Sequence, residues 1–280
     1  MSKTDNLHDF LVDIADAVRS KTGKTEPINA QNLSSEIRSI ESGEVHVFGG
    51  TMVDKTGCGI ANTNIVNVLD GITDIGDRAY YYLPIEQINL PQSIKTFGTS
   101  VFEGNEKIQE FTIPTLVDRI KTRMFYNCKS LKHARLNNVK YIEDRAFCYC
   151  TSLEDVNLEG VKTLGINSFY GCASFLEIII PDSVTSLGSG AFADCSNAEK
   201  IVIGSGVPSI GSLTFSNMTS CKYFVFSDGR DEIPTLLSKQ AFNGTTGKIV
   251  VPDTLYDEWI AATNWSSIAS KIVKASEYNG

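Results

Sequence analysis

Apolar positions along most of this chain recur every 22 or 23 residues, a period far longer than that of a single strand or helix. An aromatic ring marks each period: Tyr80, Phe102, Phe125, Phe147, Phe169, Phe192 and Phe215, with Phe242 following after a stretched step of 27. Five residues before each ring from Tyr80 to Phe215 stands Ile75, Phe97, Ile120, Ile142, Leu164, Leu187 or Ile210. Eleven residues after each ring from Phe102 to Phe215 stands Ile113, Leu136, Leu158, Ile180, Ile203 or Phe226. Three apolar columns locked to one period predict a solenoid, in which each coil buries its apolar face against its neighbours.

The best-formed unit is residues 139–160, VKYIEDRAFCYCTSLEDVNLEG. Ile142 points inward, Asp144–Phe147 reads as a short helical or 3₁₀ turn, and Leu153-x-x-Val156-x-Leu158 reads as a short strand with alternate residues facing the core. Other units close the strand with proline, as in Leu90-Pro91, Ile113-Pro114 and Ile180-Pro181, which ends a ladder by removing a donor. With Ile178-Ile179-Ile180, then Pro181–Gly188, then Ala191-Phe192-Ala193-Asp194-Cys195, the chain resembles the BspA-like (treponemal-type) leucine-rich repeats over about 180 residues. The resemblance implies an α+β leucine-rich-repeat solenoid of about eight coils, with a parallel β-sheet on one face and short helices or turns on the other.

The two ends differ from the repeats. Residues 1–43 read as a helical hairpin: Phe10, Leu11, Ile14 and Val18 fall on one helical face, and Leu33 and Ile37 on another. Residues 44–71 read as a connector or N-terminal cap with short strands, residues 72–251 as the repeats, and residues 252–280 as a helical cap carrying Trp259 and Trp265. Segments 14–40 and 249–278 resemble modules of tailed-bacteriophage structural and tail proteins. That resemblance implies a docking role for the six hairpin residues toward other virion proteins. Virion appendages are commonly symmetric, which leaves a homo-oligomer open.

Charge and cysteine content narrow the setting. The net charge is −8 without a basic run, so nucleic acid is not an expected partner. No apolar stretch approaches the ~20 residues that cross a bilayer, so no membrane insertion is expected. The opening MSKTDNLHDF lacks the pattern of a secretion signal. Four of seven cysteines, Cys128, Cys150, Cys172 and Cys195, sit three residues after a ring, with Asn105 and Met218 in the same slot of flanking units. A disulfide ladder or a metal site is one reading; a column of buried, reduced thiols is the favoured one.

The chain shows no catalytic constellation. His8, His46 and His133 are dispersed, Gly57-x-Gly59 reads as a turn, and Glu154-Asp155 has no facing acid. No cofactor or metal is expected, and no enzyme. The strand positions between inward residues form the face that meets partners. They are polar in early coils, and Lys132, His133 and Arg135 make one basic cluster there. The cluster reads first as solvated charge and second as a contact for an acidic or phosphorylated glycan. Later coils turn apolar, with Leu176, Ile179, Val202, Tyr223 and Val225. That end is either a contact patch or the ordinary preference of strands for branched residues. The expected function is a non-enzymatic virion protein of tail, baseplate or fibre type that presents the solenoid to a host-surface glycan or protein. A bacterial cell-surface adhesin of the same repeat class is the alternative.

Overall fold

Each period closes into one coil with three hydrogen-bonded sides, because a 22-residue unit has room for two short strands and one tight turn. The computed structural model describes residues 45–47, 65–68 and 70–278. The hairpin expected over 1–43, with Phe10, Leu11, Ile14, Val18, Leu33 and Ile37, lies outside the described residues, as does Cys58.

In chain order the strands are β1 (Val45–Val47), β2 (Ile65–Val68), β3 (Asp74–Ile75), β4 (Gln87–Asn89), β5 (Thr96–Phe97), β6 (Glu110–Thr112), β7 (Arg119–Ile120), β8 (His133–Arg135), β9 (Tyr141–Ile142) and β10 (Asp155–Val156). There follow β11 (Thr163–Leu164), β12 (Glu177–Ile180), β13 (Ser186–Leu187), β14 (Lys200–Ile203), β15 (Ser209–Ile210), β16 (Tyr223–Phe226), β17 (Thr235–Leu236), β18 (Lys248–Val251) and β19 (Ile272–Lys274). The first side of the solenoid carries three parallel sheets in series: β1-β2-β4, β6-β8-β10 and β12-β14-β16-β18-β19. The second side carries the two-residue strands, as β3-β5, β7-β9-β11-β13 and β15-β17. These inner ladders are too short to show in a hydrophobic pattern, and only their inward residue was visible in the sequence.

The third side corrects the expected helical turn. At Asp144–Phe147 the chain is a turn with left-handed backbone at Arg145 (φ 55) and again at Tyr149 (φ 61). Alternate N–H groups leave the turn and bond the next coil: Arg145 N donates to Ile166 O at 2.9 Å, Phe147 N to Ser168 O at 2.8 Å and Tyr149 N to Tyr170 O at 2.7 Å. The groups between them close back on their own turn, as Cys148 N does on Arg145 O at 3.2 Å. A helix would spend all its donors internally. The solenoid needs half of them to hold neighbouring coils together.

The rings form a continuous stack through the core. Phe125, Phe147, Phe169 and Phe192 lie 5.1–5.4 Å apart and within about 10° of parallel, and every ring from Tyr80 to Phe215 is fully buried. The thiols run beside them. Cys150 Sγ donates to Phe125 O at 3.0 Å and Cys172 Sγ to Phe147 O at 3.1 Å, and Cys128 and Cys195 do the same one ring back. Asn105 fills the slot with the same role, donating Nδ2 to Tyr80 O at 2.6 Å. The column is therefore a row of donors to ring-residue carbonyls. All six described cysteines are free, and burial raises the thiols of the column well above their usual range.

The repeat also runs further than its phenylalanines. Where a helical cap was expected, residues 252–278 hold 3₁₀ turns, one short helix α1 (Tyr256–Ala261) and the strand β19. Trp265 stands 23 residues after Phe242 and takes the next place in the ring stack, 5.8 Å from it. β19 pairs with β18 in the same 23-residue register, Ile249 against Ile272. About nine turns result. The 27-residue step before Phe242 absorbs its extra length in a loop pinned by the buried Arg230. Its guanidinium donates to Val207 O at 3.0 Å and Gly204 O at 2.6 Å and lies over Phe226.

Candidate functional site: the open sheet face

On the first side the inward and outward residues alternate, so one register fixes what each coil presents. Ile179, Val202, Val225, Val250 and Val273 are paired in sequence across β12, β14, β16, β18 and β19. They make an apolar stripe on the outer face. The stripe is not uniformly open. Leu176 is 67% exposed and Ile179 59%, whereas Val202 and Val225 are half-buried and Val250 is fully buried.

The chain's own C-terminal segment packs at the more buried end of this face. It ends in a 3₁₀ turn (Ala275–Glu277) held by Ser276 N, which donates to Asp253 Oδ1 at 2.9 Å. Tyr278 then packs edge-on against Tyr223 at 4.7 Å between ring centroids and reaches Lys200. Lys200 is bonded first to Glu177 Oε1 at 3.2 Å, and the two contacts together raise its pKa. Of the residues expected to bind, Tyr223 is therefore already engaged, Val202 and Val225 are partly covered, and Leu176 and Ile179 remain open.

The basic cluster is likewise set among acids. Lys132 and Arg135 are exposed, but His133 Nδ1 lies 3.0 Å from Asp155 Oδ2, and the register puts Glu110 on its other flank. His133 is thus flanked by carboxylates across the strands, while Lys132 and Arg135 stay open to solvent.

Beside Ile179 the sheet parts. Among the described residues no ladder joins β10 to β12. A cleft of about 380 Å³ opens there, with Val156, Leu158, Phe175 and Ile178 in its walls and Asp155, Glu159 and Glu177 among its lining residues. Phe175, which lines the cleft, is buried in the slot where the neighbouring coils place Leu153 and Ala198. The sequence shows this larger residue, but only the pairing of strands shows that a cleft lies there, next to the two most exposed apolar residues of the face.

The site offers contact surface, with Leu176 and Ile179 open beside the cleft. Among the described residues no group of His, Cys, Asp or Glu is placed to hold a metal ion, and no helix is long and apolar enough to cross a membrane.

Comparisons with known proteins agree on the architecture. A family model described as BspA type leucine rich repeat region matches residues 56–154 and 140–255, in six copies. A comparison with curated proteins found no match. Among solved structures, a leucine-rich repeat protein from Bacteroides ovatus is 19% identical, with 76% of this chain and 66% of that chain covered and a TM-score of 0.54. The pneumococcal vaccine antigen PcpA is 16% identical, with 83% of each chain covered and a TM-score of 0.50. At those identities the likeness is one of fold.

Proposed function

We propose, from the premise that this chain belongs to the BspA-type leucine-rich-repeat family, that it is a non-enzymatic adhesion scaffold that holds a protein partner on its first side at the bacterial surface. The family and its fold are typically interaction scaffolds, and its members are typically bacterial surface proteins. The observation that carries the reading is the pairing of Leu176 and Ile179, large and exposed, with the cleft where β10 and β12 part. Apolar side chains open to water beside a cleft are what an anchor residue of a partner fills. Leu176→Asp with Ile179→Asp is expected to leave the melting temperature within about 2 °C of wild type, because both side chains face solvent. The same pair is expected to lower attachment of the purified chain to host-cell surface proteins by about tenfold or more. Unchanged attachment by a folded double variant would remove the face from consideration.

A second reading places the chain on a virion of a tailed bacteriophage. It rests on the resemblance of segments 14–40 and 249–278 to phage structural modules. On this reading Phe10, Leu11, Ile14, Val18, Leu33 and Ile37 dock the chain onto other particle proteins, and the solenoid meets a host-surface glycan or protein. The family setting favours the cell surface over this one. Removing residues 1–41 distinguishes them: the virion reading expects the solenoid to stay folded but to be lost from particles, and undiminished incorporation would end it.

A further inference from the structure

A separate surface runs along the turn side, independent of the face just described. Two residues after each ring from Tyr80 to Phe242 the backbone is left-handed, at Tyr82, Gly104, Asn127, Tyr149, Gly171, Asp194, Asn217 and Gly244, with φ between 53° and 74°. Gly, Asn and Asp occupy six of these eight places, as expected of the residues that tolerate this conformation. Tyr82 and Tyr149 do not belong to that group. At these two places the slot that other coils give to small or short polar residues carries an exposed ring instead.

Both tyrosines are seated in the same way, with the ring against the glycine of the next coil. A Cβ added to Gly104 would fall 2.6–2.7 Å from three ring atoms of Tyr82, and one added to Gly171 would fall 2.9 Å from Cδ1 of Tyr149. Each ring thus rests on bare backbone, yet Tyr82 is 54% and Tyr149 40% exposed. Neighbouring rings extend the surface: Tyr81 meets Tyr82 at 4.6 Å, and Tyr126 and Tyr170 flank Tyr149 at 5.8 and 5.3 Å. Five of the chain's ten tyrosines stand on this one side. Charged groups lie among the rings: Arg78, itself exposed, lies over Tyr81 at 5.6 Å from its centroid. Arg123 holds Glu103 through Nε at 3.0 Å and Nη2 at 2.7 Å while lying over Tyr126, and Asp194 accepts from the Tyr170 hydroxyl.

We propose that this tyrosine edge binds a linear glycan. Exposed tyrosine rings such as Tyr82 and Tyr149 stack on the C–H faces of pyranose rings. Tyr82 and Tyr149 are three coils apart, roughly 16 Å by the core steps of 5.4, 5.5 and 5.1 Å, so the ligand is an extended oligosaccharide rather than a single sugar.

The test is calorimetric titration of the full chain with hexasaccharides of β-1,4-linked glucose, β-1,4-linked mannose and α-1,4-linked glucose. Tyr82→Asn and Tyr149→Asn are the informative variants, since asparagine suits the left-handed slot and a folding defect is not expected. At least one hexasaccharide should bind the wild type. Each substitution should weaken it about fivefold or more, the scale of one stacking contact, and the double variant should lose binding without a fall in melting temperature. Failure of all three probes to bind, or binding retained by the double variant, would overturn the proposal. So would a double variant that attaches less well both to intact host cells and, by the same factor, to cells whose glycans have been removed, because that outcome assigns the edge to a protein. Leu176→Asp with Ile179→Asp should leave hexasaccharide binding unchanged, which keeps the two faces distinguishable.

Discussion

Phe147→Ala is expected to destabilise the protein by about 3–5 kcal/mol, the cost of removing a large buried ring and leaving its space unfilled. Phe147 is fully buried and stacked at 5.1 Å on both Phe125 and Phe169. Both neighbours are themselves fixed by hydrogen bonds between coils, so collapse around the hole is limited. The backbone of Phe147 is engaged as well: its N–H bonds Ser168 O and its carbonyl accepts the Cys172 thiol. Because each coil is stabilised chiefly by its neighbours, the loss spreads along the axis. Hydrogen exchange should therefore quicken first in the coils from Phe125 to Phe169, and the melting temperature should drop by about 10 °C. Ile166→Ala, at a site 47% exposed in the adjacent coil, should change stability by no more than about 0.5 kcal/mol. A Phe147→Ala protein melting within a degree or two of wild type would refute the ring stack as the core.

Trp265→Ala should cost a comparable amount, about 3–5 kcal/mol, and unravel the C-terminal end before the middle. Trp265 is buried, packs on Phe226, Phe242 and Trp259, and donates Nε1 to Pro234 O at 2.8 Å. It ends the ring stack and shields the last coil, whose apolar edge would otherwise meet water. The neighbouring tryptophan provides the sharper comparison. Trp259 is equally buried, but its Nε1 has no hydrogen-bond partner. Replacing Trp265 by Phe leaves Pro234 O unbonded and should cost about 1–3 kcal/mol beyond the lost packing. Replacing Trp259 by Phe removes an unpaired buried donor and should cost distinctly less. Chemical denaturation of the two variants side by side settles the order, and a Trp259→Phe protein less stable than Trp265→Phe would contradict the contacts described.

Much of the core was legible in the sequence. The columns through Phe147, Ile142 and Leu158 are all buried, because a side chain's size and polarity are local properties and the period repeats them often enough to be read. The thiol column was legible for the same reason, though its role as a donor to Phe102, Phe125, Phe147 and Phe169 carbonyls was not. The last coil was hidden because tryptophan replaced phenylalanine at residue 265 just after the step had stretched. The turns were misread as helical because Arg123, Arg145 and Tyr149 carry no local signal for left-handed backbone. Their N–H groups instead reach carbonyls that the next coil offers.

The candidate site divides along the same line. The alternation of strand residues was enough to place Leu176, Ile179, Val202 and Val225 on one outer face. The sequence by itself thus determined the period, the family, the buried columns and the identity of the outward residues, since each follows from a pattern that neighbouring units repeat. Tertiary structure alone decided which of those residues are open. Tyr278 returns to cover Tyr223, β10 and β12 part beside Phe175, and two glycines a coil away seat Tyr82 and Tyr149 at the surface. Each of these depends on residues brought together by stacking, at separations of one to several coils, where size and shape must match in space and no pattern along the chain records the match.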